Sequence, residues 1–419
     1  MAAIIQTTNL KGGVLIQKIE SLRMRARLLT GLRQTLGLKP QQDIRRVQWN
    51  ILESQLAAES NRIQQRLRLV ADQYMSESQN VQVRAVFMHQ LGEIELELNR
   101  SYTFYDTYMD ILTQRLSEHI GPQLRGCDAI AADGLRKGFL ADITMPPLVY
   151  CDRGFGASTL REGVRLSNQP PNPLPFIAIP YARIDEKYNL ISIYHEVGHQ
   201  ALVKLNLVPV LQQVFQDAMQ KAGATPLLRQ LFGNWSKELG PDFWAFAHTG
   251  MAQTASIRDV LVLPQPMMFQ VAPYHPHPPA YLRFLASVAW CRHLWGKGQW
   301  DDWEAEWLDS FPIPKQDKSM REAILSARKL LPVAARAMLN TRFKKLNGKP
   351  LLSLFDVNTI APRALEALAT EQQVSDPGFK KQPIGVQLAA FRLLRDNRGM
   401  RLAPLNQLMH QWLIRLGNH

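Results

Sequence analysis

The longest regular pattern in the sequence is a run of apolar residues over positions 81–119. Up to Leu112 these residues follow one another at alternating steps of four and three, the spacing of a coiled-coil seam. The seam positions are Phe87, Leu91, Ile94, Leu98, Ser101, Tyr105, Tyr108, Leu112 and Leu116. Residues 41–76 carry a looser pattern of this kind, and a polar break at 76–80 follows it. We therefore expect an antiparallel helical hairpin over 41–119, with an amphipathic helix at 13–36 packed against it.

Glycine and proline interrupt the chain between positions 121 and 145, where we expect a domain junction. Two short strands are predicted next, at 147–152 and 175–184, on either side of a loop rich in Gly, Pro and Asn. Pro180 has no backbone N–H to donate, so we expect the second strand either to lie at an edge of its sheet or to contain a bulge. From residue 299 onward the pattern is again helical, with Pro332 as an expected kink.

Residues 189–205 contain a pattern with direct chemical meaning. Within them His195, Glu196 and His199 form H-E-x-x-H. Residues four apart lie on one face of a helix, so both imidazoles can bind one cation. Glu196 would then lie beside that cation, where a carboxylate can accept a proton from water. The alternative is a solvated helix face that carries these three residues by coincidence.

The third ligand distinguishes the classes of zinc enzyme, because a catalytic zinc typically takes three protein ligands and one water. A third His six residues beyond His199 is absent, since Leu205 stands there. The segment 233–246 instead supplies Glu238 and, four residues later, Asp242. Together with H-E-x-x-H, this arrangement resembles the gluzincin metallopeptidases, the thermolysin-like class, over about residues 146–300.

The resemblance implies a role for each of these residues. The zinc ligands would be His195, His199 and Glu238, with Glu196 as the general base. Asp242 would orient a metal-binding His by a hydrogen bond. Pro241 lies between the two carboxylates and is expected to kink or restart the helix, which leaves two simpler interpretations open. Glu238 would then be an ordinary exposed carboxylate, and Asp242 a helix N-cap.

Zinc peptidases also need a donor that stabilises the oxyanion of the tetrahedral intermediate. The proline-rich segment that follows residue 260 is the best source for one, and its candidates are His277 and Tyr274. The alternative is a stiff loop whose aromatic side chains pack against the sheet. Arg283 is assigned to the following helix, predicted at 280–296, where it would anchor this loop by hydrogen bonds.

The charge of the chain is unevenly distributed. Its formal net charge is +13, and residues 311–419 hold 18 Lys and Arg against 7 Asp and Glu. No dense basic cluster or nucleic-acid motif accompanies this excess, so a solvated helical surface is favoured over a nucleic-acid partner. No apolar run is long enough for a membrane span. The three cysteines are widely spaced, and residues 1–13 lack a secretion signal, so we expect a cytoplasmic protein, with export by a non-classical route left open.

These observations predict an α+β fold that is mostly α. A helical coiled-coil-like domain is expected at 1–125, a zincin-like metallopeptidase domain with a small sheet at 126–312, and a helical lobe at 313–419. The predicted function is zinc-dependent hydrolysis of peptide bonds in a protein or peptide substrate, with Zn²⁺ as cofactor. The N-terminal helical region is a candidate surface for a protein partner. The alternative is a protein-binding adaptor with basic helical arms and a structural or residual zinc site.

Overall fold

The computed structural model describes residues 13–40, 42–77, 81–154, 156–164 and 171–418. The fold is α+β and mostly α, as predicted: 73% of it is helical, with one sheet of 3 strands and another of 2. The chain divides into two compact units, one formed by Met1–Gly121 with Leu160–Pro175, the other by Pro122–Thr159 with Phe176–His419. The three-domain division remains a prediction. Residues 1–12, which bear on the secretion signal, and residues 78–80 of the polar break lie outside the described part.

The first unit contains the predicted helical hairpin. Its helices are α1 (Gly13–Leu28), α2 (Leu32–Leu36), α3 (Arg46–Glu77) and α4 (Val81–Thr113). Helix α2 ends at Gly37, which adopts the left-handed conformation with a φ of 57° that glycine tolerates best. Helices α1, α3 and α4 pack on one another, so the amphipathic helix lies against the hairpin as expected.

The seam of α4 is buried from Phe87 to Leu112, including Ser101, whose hydroxyl donates to a carboxylate oxygen of Glu59 at 3.1 Å. Two seam predictions were wrong. Leu116 is 40% exposed, because α4 ends at Thr113 and the helical period ends with it. Val47, an apolar position expected in the looser pattern of 41–76, is exposed while Trp49 is buried, because the buried face of α3 runs through Trp49, Leu52 and Leu56.

The larger sheet lies in the middle of the chain. Its strands are β1 (Leu148–Asp152), β2 (Ser158–Leu160) and β3 (Phe176–Pro180), in the spatial order β1-β3-β2. Strands β1 and β3 are parallel, with Leu148 opposite Phe176. The prediction that the strand containing Pro180 lies at an edge was therefore wrong. Pro180 is the last residue of β3, so its missing N–H removes no hydrogen bond from the strand pairing that precedes it.

The predicted junction at 121–145 contains two helices, α5 (Ile120–Leu135) and α6 (Leu140–Ile143). The glycines of α5 make close helix contacts. A Cβ on Gly126 would lie 2.3 Å from the carbonyl oxygen of Leu413, and one on Gly134 would lie 2.8 Å from Val197. These glycines therefore allow α5 to pack closely on its neighbours, and they do not indicate a loop as the sequence had suggested.

The second unit continues with helices on both sides of a short hairpin. Before the hairpin lie α7 (Tyr181–Asp185), α8 (Ser192–Lys204), α9 (Val208–Lys221), α10 (Pro226–Thr249), α11 (Met251–Val260), α12 (Gln265–Met268), α13 (Ala280–Trp295), α14 (Gln299–Ser310) and α15 (Lys318–Asn340). The hairpin pairs β4 (Arg342–Phe343) with β5 (Lys349–Pro350), and after it come α16 (Pro362–Leu368), α17 (Glu371–Ser375), α18 (Ile384–Arg398) and α19 (Leu402–Gly417). In the part of the chain that the structure describes, no helix is both long and apolar enough to cross a membrane.

A buried arginine fastens α18 to the segment that precedes α8. Arg392 is 1% exposed and donates to the side chains of Asn189, Asp259 and Asp396 and to the backbone oxygen of Ala255. Hydrogen bonds to charged groups are stronger than those between neutral groups, and a buried guanidinium needs all its partners. This network therefore fixes the position of α18 against α11 and the start of the H-E-x-x-H segment.

We expect Arg392→Met to lower the free energy of unfolding by about 3 kcal/mol, because it removes the closer of the two cations of the buried Asp396 carboxylate and the donor to the buried side chain of Asn189. Urea and thermal unfolding followed by circular dichroism measure this. The matched control is Arg395→Met on the same helix, since Arg395 is more exposed but pairs with the same two carboxylates. It should cost less than about 1 kcal/mol. Equal losses in the two variants would contradict the anchoring role.

Candidate metal centre

Two helices approach each other closely at the site, because small residues face each other there. A Cβ on Gly198 of α8 would lie 2.8 Å from Cα of Pro241 and 2.9 Å from Cβ of Trp244, both in α10. A Cβ on Gly240 would lie 2.7 Å from Leu202 of α8. Gly198 therefore makes room for the neighbouring backbone of α10. This close approach sets the H-E-x-x-H face of α8 against the middle of α10.

Helix α10 runs unbroken through Pro241, contrary to the expected kink or restart. Glu238 and Asp242 therefore lie one turn apart on the same face. Glu238 is buried, and Asp242 lies inside the helix, so the exposed-carboxylate and N-cap interpretations are both excluded. Pro241 is tolerated because the surrounding residues of α10 are buried against α8, and tertiary packing outweighs the local cost of proline.

The two helices bring three potential metal ligands together. His195, His199 and Glu238 each provide one potential ligand atom, and these three atoms lie within 4.8 Å of one another. The two imidazole Nε2 atoms are 3.2 Å apart. The carboxylate oxygens of Glu238 lie 3.4 Å from Nε2 of His195 and 3.7 Å from Nε2 of His199.

These separations fit a zinc ion. Ligand bonds of 2.0–2.1 Å in a tetrahedral arrangement place neighbouring donor atoms about 3.3 Å apart. Two imidazoles and one carboxylate are also the donor types found in catalytic zinc sites. A tetrahedral zinc held by these three residues would have one position left for water or substrate. The donor set therefore fits zinc by its chemistry and by its spacing.

Asp242 and Arg283 hold the first imidazole in place. Nδ1 of His195 lies 2.8 Å from Oδ1 of Asp242, so its Nε2 is directed at the ligand cluster. The guanidinium of Arg283, in α13, donates to both oxygens of Asp242, at 2.5 and 2.7 Å. The same guanidinium lies 3.8 Å from Glu238. Arg283 thus connects the orienting carboxylate to the third ligand.

The charges of the cluster shift the pKa of each member in the absence of metal. Burial would lower the pKa of His195, but the carboxylates of Asp242 and Glu238 outweigh it and raise that pKa to about 9. Burial and the neighbouring His195 lower the pKa of His199 to about 3. Burial opposes ionisation of Glu238, yet the hydrogen bond from His195 and nearby positive charges bring its pKa down to about 2. His199 and Glu238 are therefore held in the protonation states that bind a metal.

Glu196 follows His195 in α8, and the charges of His195 and Glu238 act on its carboxylate. It is buried, and within the described residues its carboxylate forms no hydrogen bond or ion pair. Burial raises the pKa of Glu196, and the nearby Glu238 adds to the effect. A carboxylate with a raised pKa and no protein partner is suited to exchange protons with a water molecule.

The two candidates for oxyanion stabilisation, His277 and Tyr274, lie in the loop between α12 and α13, and only His277 reaches the ligand cluster. Nε2 of His277 is 3.4 Å from Oε2 of Glu238, so this imidazole reaches the edge of the cluster. Its backbone N–H donates to Nδ1 of His275 at 3.3 Å. Tyr274 is 88% exposed and is not brought into the cluster. The loop is tied to α10 by Asn234, whose side-chain amide donates to the backbone oxygen of Pro273 at 2.8 Å.

Arg283 is the residue that sequence reasoning placed outside the site. Its assignment to the helix after the loop is correct, but its partners are Asp242, His195 and Glu238 and not the loop. An arginine near the start of an apolar helix gives no local sign of such a role. Two buried carboxylates, Glu238 and Asp242, need a compensating cation nearby. This requirement is the sequence signal from which Arg283 could have been predicted.

Comparison with known proteins identifies no relative: no family model, curated protein or solved structure matches the chain.

Proposed function

We propose that the protein is a zinc-dependent peptidase of the gluzincin type. The observation that carries the proposal is the convergence of His195, His199 and Glu238 to donor separations of 3.2, 3.4 and 3.7 Å, with Asp242 bonded to the outer nitrogen of His195. Two imidazoles and a carboxylate at metal-binding distance are typical of sites for metal-assisted hydrolysis. Such sites also need a nearby proton acceptor, and the buried carboxylate of Glu196 is the candidate. The substrate class we infer is an extended segment of protein or peptide.

Zinc, when bound, would supply a Lewis acid that polarises the scissile carbonyl and makes water more acidic. The protein residues would carry the proton. Glu196 accepts a proton from water as the water attacks the carbonyl carbon, and later returns it to the leaving amine. Its raised pKa and its lack of a protein partner support both steps.

His277 is the better placed of the two oxyanion donors. Its Nε2 lies at the edge of the ligand cluster, and its side chain is half-exposed, so a substrate can reach it. Burial lowers the pKa of His277, and in the neutral imidazole the Nε2–H tautomer is a hydrogen-bond donor. Tyr274 would need to leave its exposed position to contribute.

Chelation and reconstitution test the proposed function. We expect the purified full chain to cleave unfolded protein or a mixed peptide library, and cleavage to stop after treatment with a zinc chelator. Adding back one equivalent of Zn²⁺ should restore it, because the ligands lie on two helices, α8 and α10, that pack closely on each other. Mass spectrometry of new N-termini measures the cleavage. Full zinc binding with no new termini from any substrate would contradict the peptidase proposal and favour the adaptor.

A further inference from the structure

The hairpin formed by β4 and β5 carries four cations within eight residues, contrary to the expectation that the basic C-terminal region holds no dense cluster. Residues 342–349 (RFKKLNGK) contain no Asp or Glu. Phe343 and Leu346 are buried and fix the hairpin, while its basic side chains are exposed. Two further cations precede α6, and one of them, Lys137, lies 5.5 Å from the ring of Phe355 just beyond the hairpin. We call this group the basic hairpin surface; its members are Arg136, Lys137, Arg342, Lys344, Lys345 and Lys349.

The positive charge of this surface is not neutralised by the protein. None of its six members forms an ion pair with a carboxylate elsewhere in the described residues, whereas many other arginines of the chain do. Arg342 donates only to the backbone oxygen of Gly348. Uncompensated cations close together raise the local potential and attract anionic surfaces.

Exposed apolar side chains lie directly beside these cations. Phe139 is 38% exposed, and the ammonium group of Lys345 lies 6.0 Å from its ring. Ile143 is 47% exposed and follows Phe139 by one helical turn, on the same face. Cations around a small apolar group match the interface of an anionic bilayer, where amines meet lipid phosphates and apolar side chains enter the acyl boundary. A nucleic acid offers phosphates but no apolar layer for Ile143.

We propose that the basic hairpin surface binds the protein to membranes that contain anionic phospholipid. The surface lies outside the candidate metal centre, so the proposal does not depend on the peptidase function. Binding is peripheral and electrostatic, and it weakens as salt screens the charges.

Vesicle co-sedimentation tests this proposal on the full chain. We expect the protein to pellet with vesicles of phosphatidylcholine and 30% phosphatidylglycerol, and not with phosphatidylcholine alone. Lys344→Glu with Lys345→Glu should lower the partition coefficient by about tenfold or more, because each basic residue near an anionic surface contributes a several-fold gain. The matched control is Lys380→Glu with Lys381→Glu, an adjacent exposed lysine pair in another 3₁₀ helix of the same unit. It should keep most of the binding.

The double variant Phe139→Ser, Ile143→Ser tests the exposed apolar side chains beside the basic hairpin surface. It should also weaken vesicle binding, and thermal unfolding checks that the variant is folded. Equal losses for the two lysine pairs would show that net charge alone is responsible and overturn the assigned surface. Equal pelleting with neutral vesicles, or none with either kind, would overturn the proposal. Tight binding of a 30-base-pair duplex that depends on Lys344 and Lys345 but not on Phe139, without vesicle binding, would assign the surface to nucleic acid instead.

Discussion

Glu196→Gln is expected to reduce peptide hydrolysis at least about a thousandfold while one zinc per chain remains bound. The amide keeps the size and the buried position of the side chain but cannot accept a proton. Glu196 does not belong to the ligand cluster, so the ligand atoms keep their places. The measurement pairs initial rates of peptide cleavage with elemental analysis of the same protein sample.

Glu186→Gln is the matched control for this experiment. Glu186 lies ten residues before Glu196, is exposed, pairs with Arg183 at 3.5 Å and is not part of the ligand cluster. Its replacement should leave activity within about twofold, since surface ion pairs contribute little. If Glu196→Gln kept wild-type activity, the proton acceptor would be another group. If it lost both zinc and activity, Glu196 would act as a ligand, and the proposed division of roles would fail.

The helical part of the fold was predictable because its signal is local. The step of four and three from Phe87 to Leu112 is a property of the sequence itself, and it specifies a buried seam regardless of what packs elsewhere. Helix ends are less well specified, which is why Leu116 was misassigned. The strands predicted at 147–152 and 175–184 are present as β1 and β3, although the second ends at Pro180 and residues 181–184 belong to α7. The order of the strands was not predictable, for a different reason. Strand β2 has only three residues and no clear pattern, yet its pairing with β3 decides which strand is central.

The candidate site shows the same division between local and distant information. His195, Glu196 and His199 follow from their spacing in one helix. The relation of Glu238 to Asp242 depends on α10 passing through Pro241, and that outcome is determined by packing against Gly198 of α8. Local propensity at Pro241 favours a break, and tertiary contacts outweigh it. Arg283 comes from a third helix 41 residues beyond Asp242, and no spacing rule links the two.

Removing the third ligand provides the most direct test of the metal centre. We expect the wild type to hold about one zinc per chain, and His199→Ala and Glu238→Ala each to lose it in the presence of a competing chelator. Each substitution removes one of the three donors, and two donors from side chains bind zinc too weakly to compete. Elemental analysis after gel filtration measures stoichiometry, and titration against a zinc-binding dye measures affinity.

Glu238→Gln distinguishes loss of the ligand from loss of packing. The amide fills the buried space of the carboxylate, but it is a weaker zinc ligand and removes a negative charge beside Arg283. Zinc affinity should therefore fall by at least about a hundredfold, while far-UV circular dichroism should show that the metal-free protein is still folded. Zinc retained at wild-type affinity in both Glu238 variants would place the third ligand elsewhere and remove the basis for the gluzincin assignment. No zinc in the wild type, even after its addition, would refute the metal centre itself.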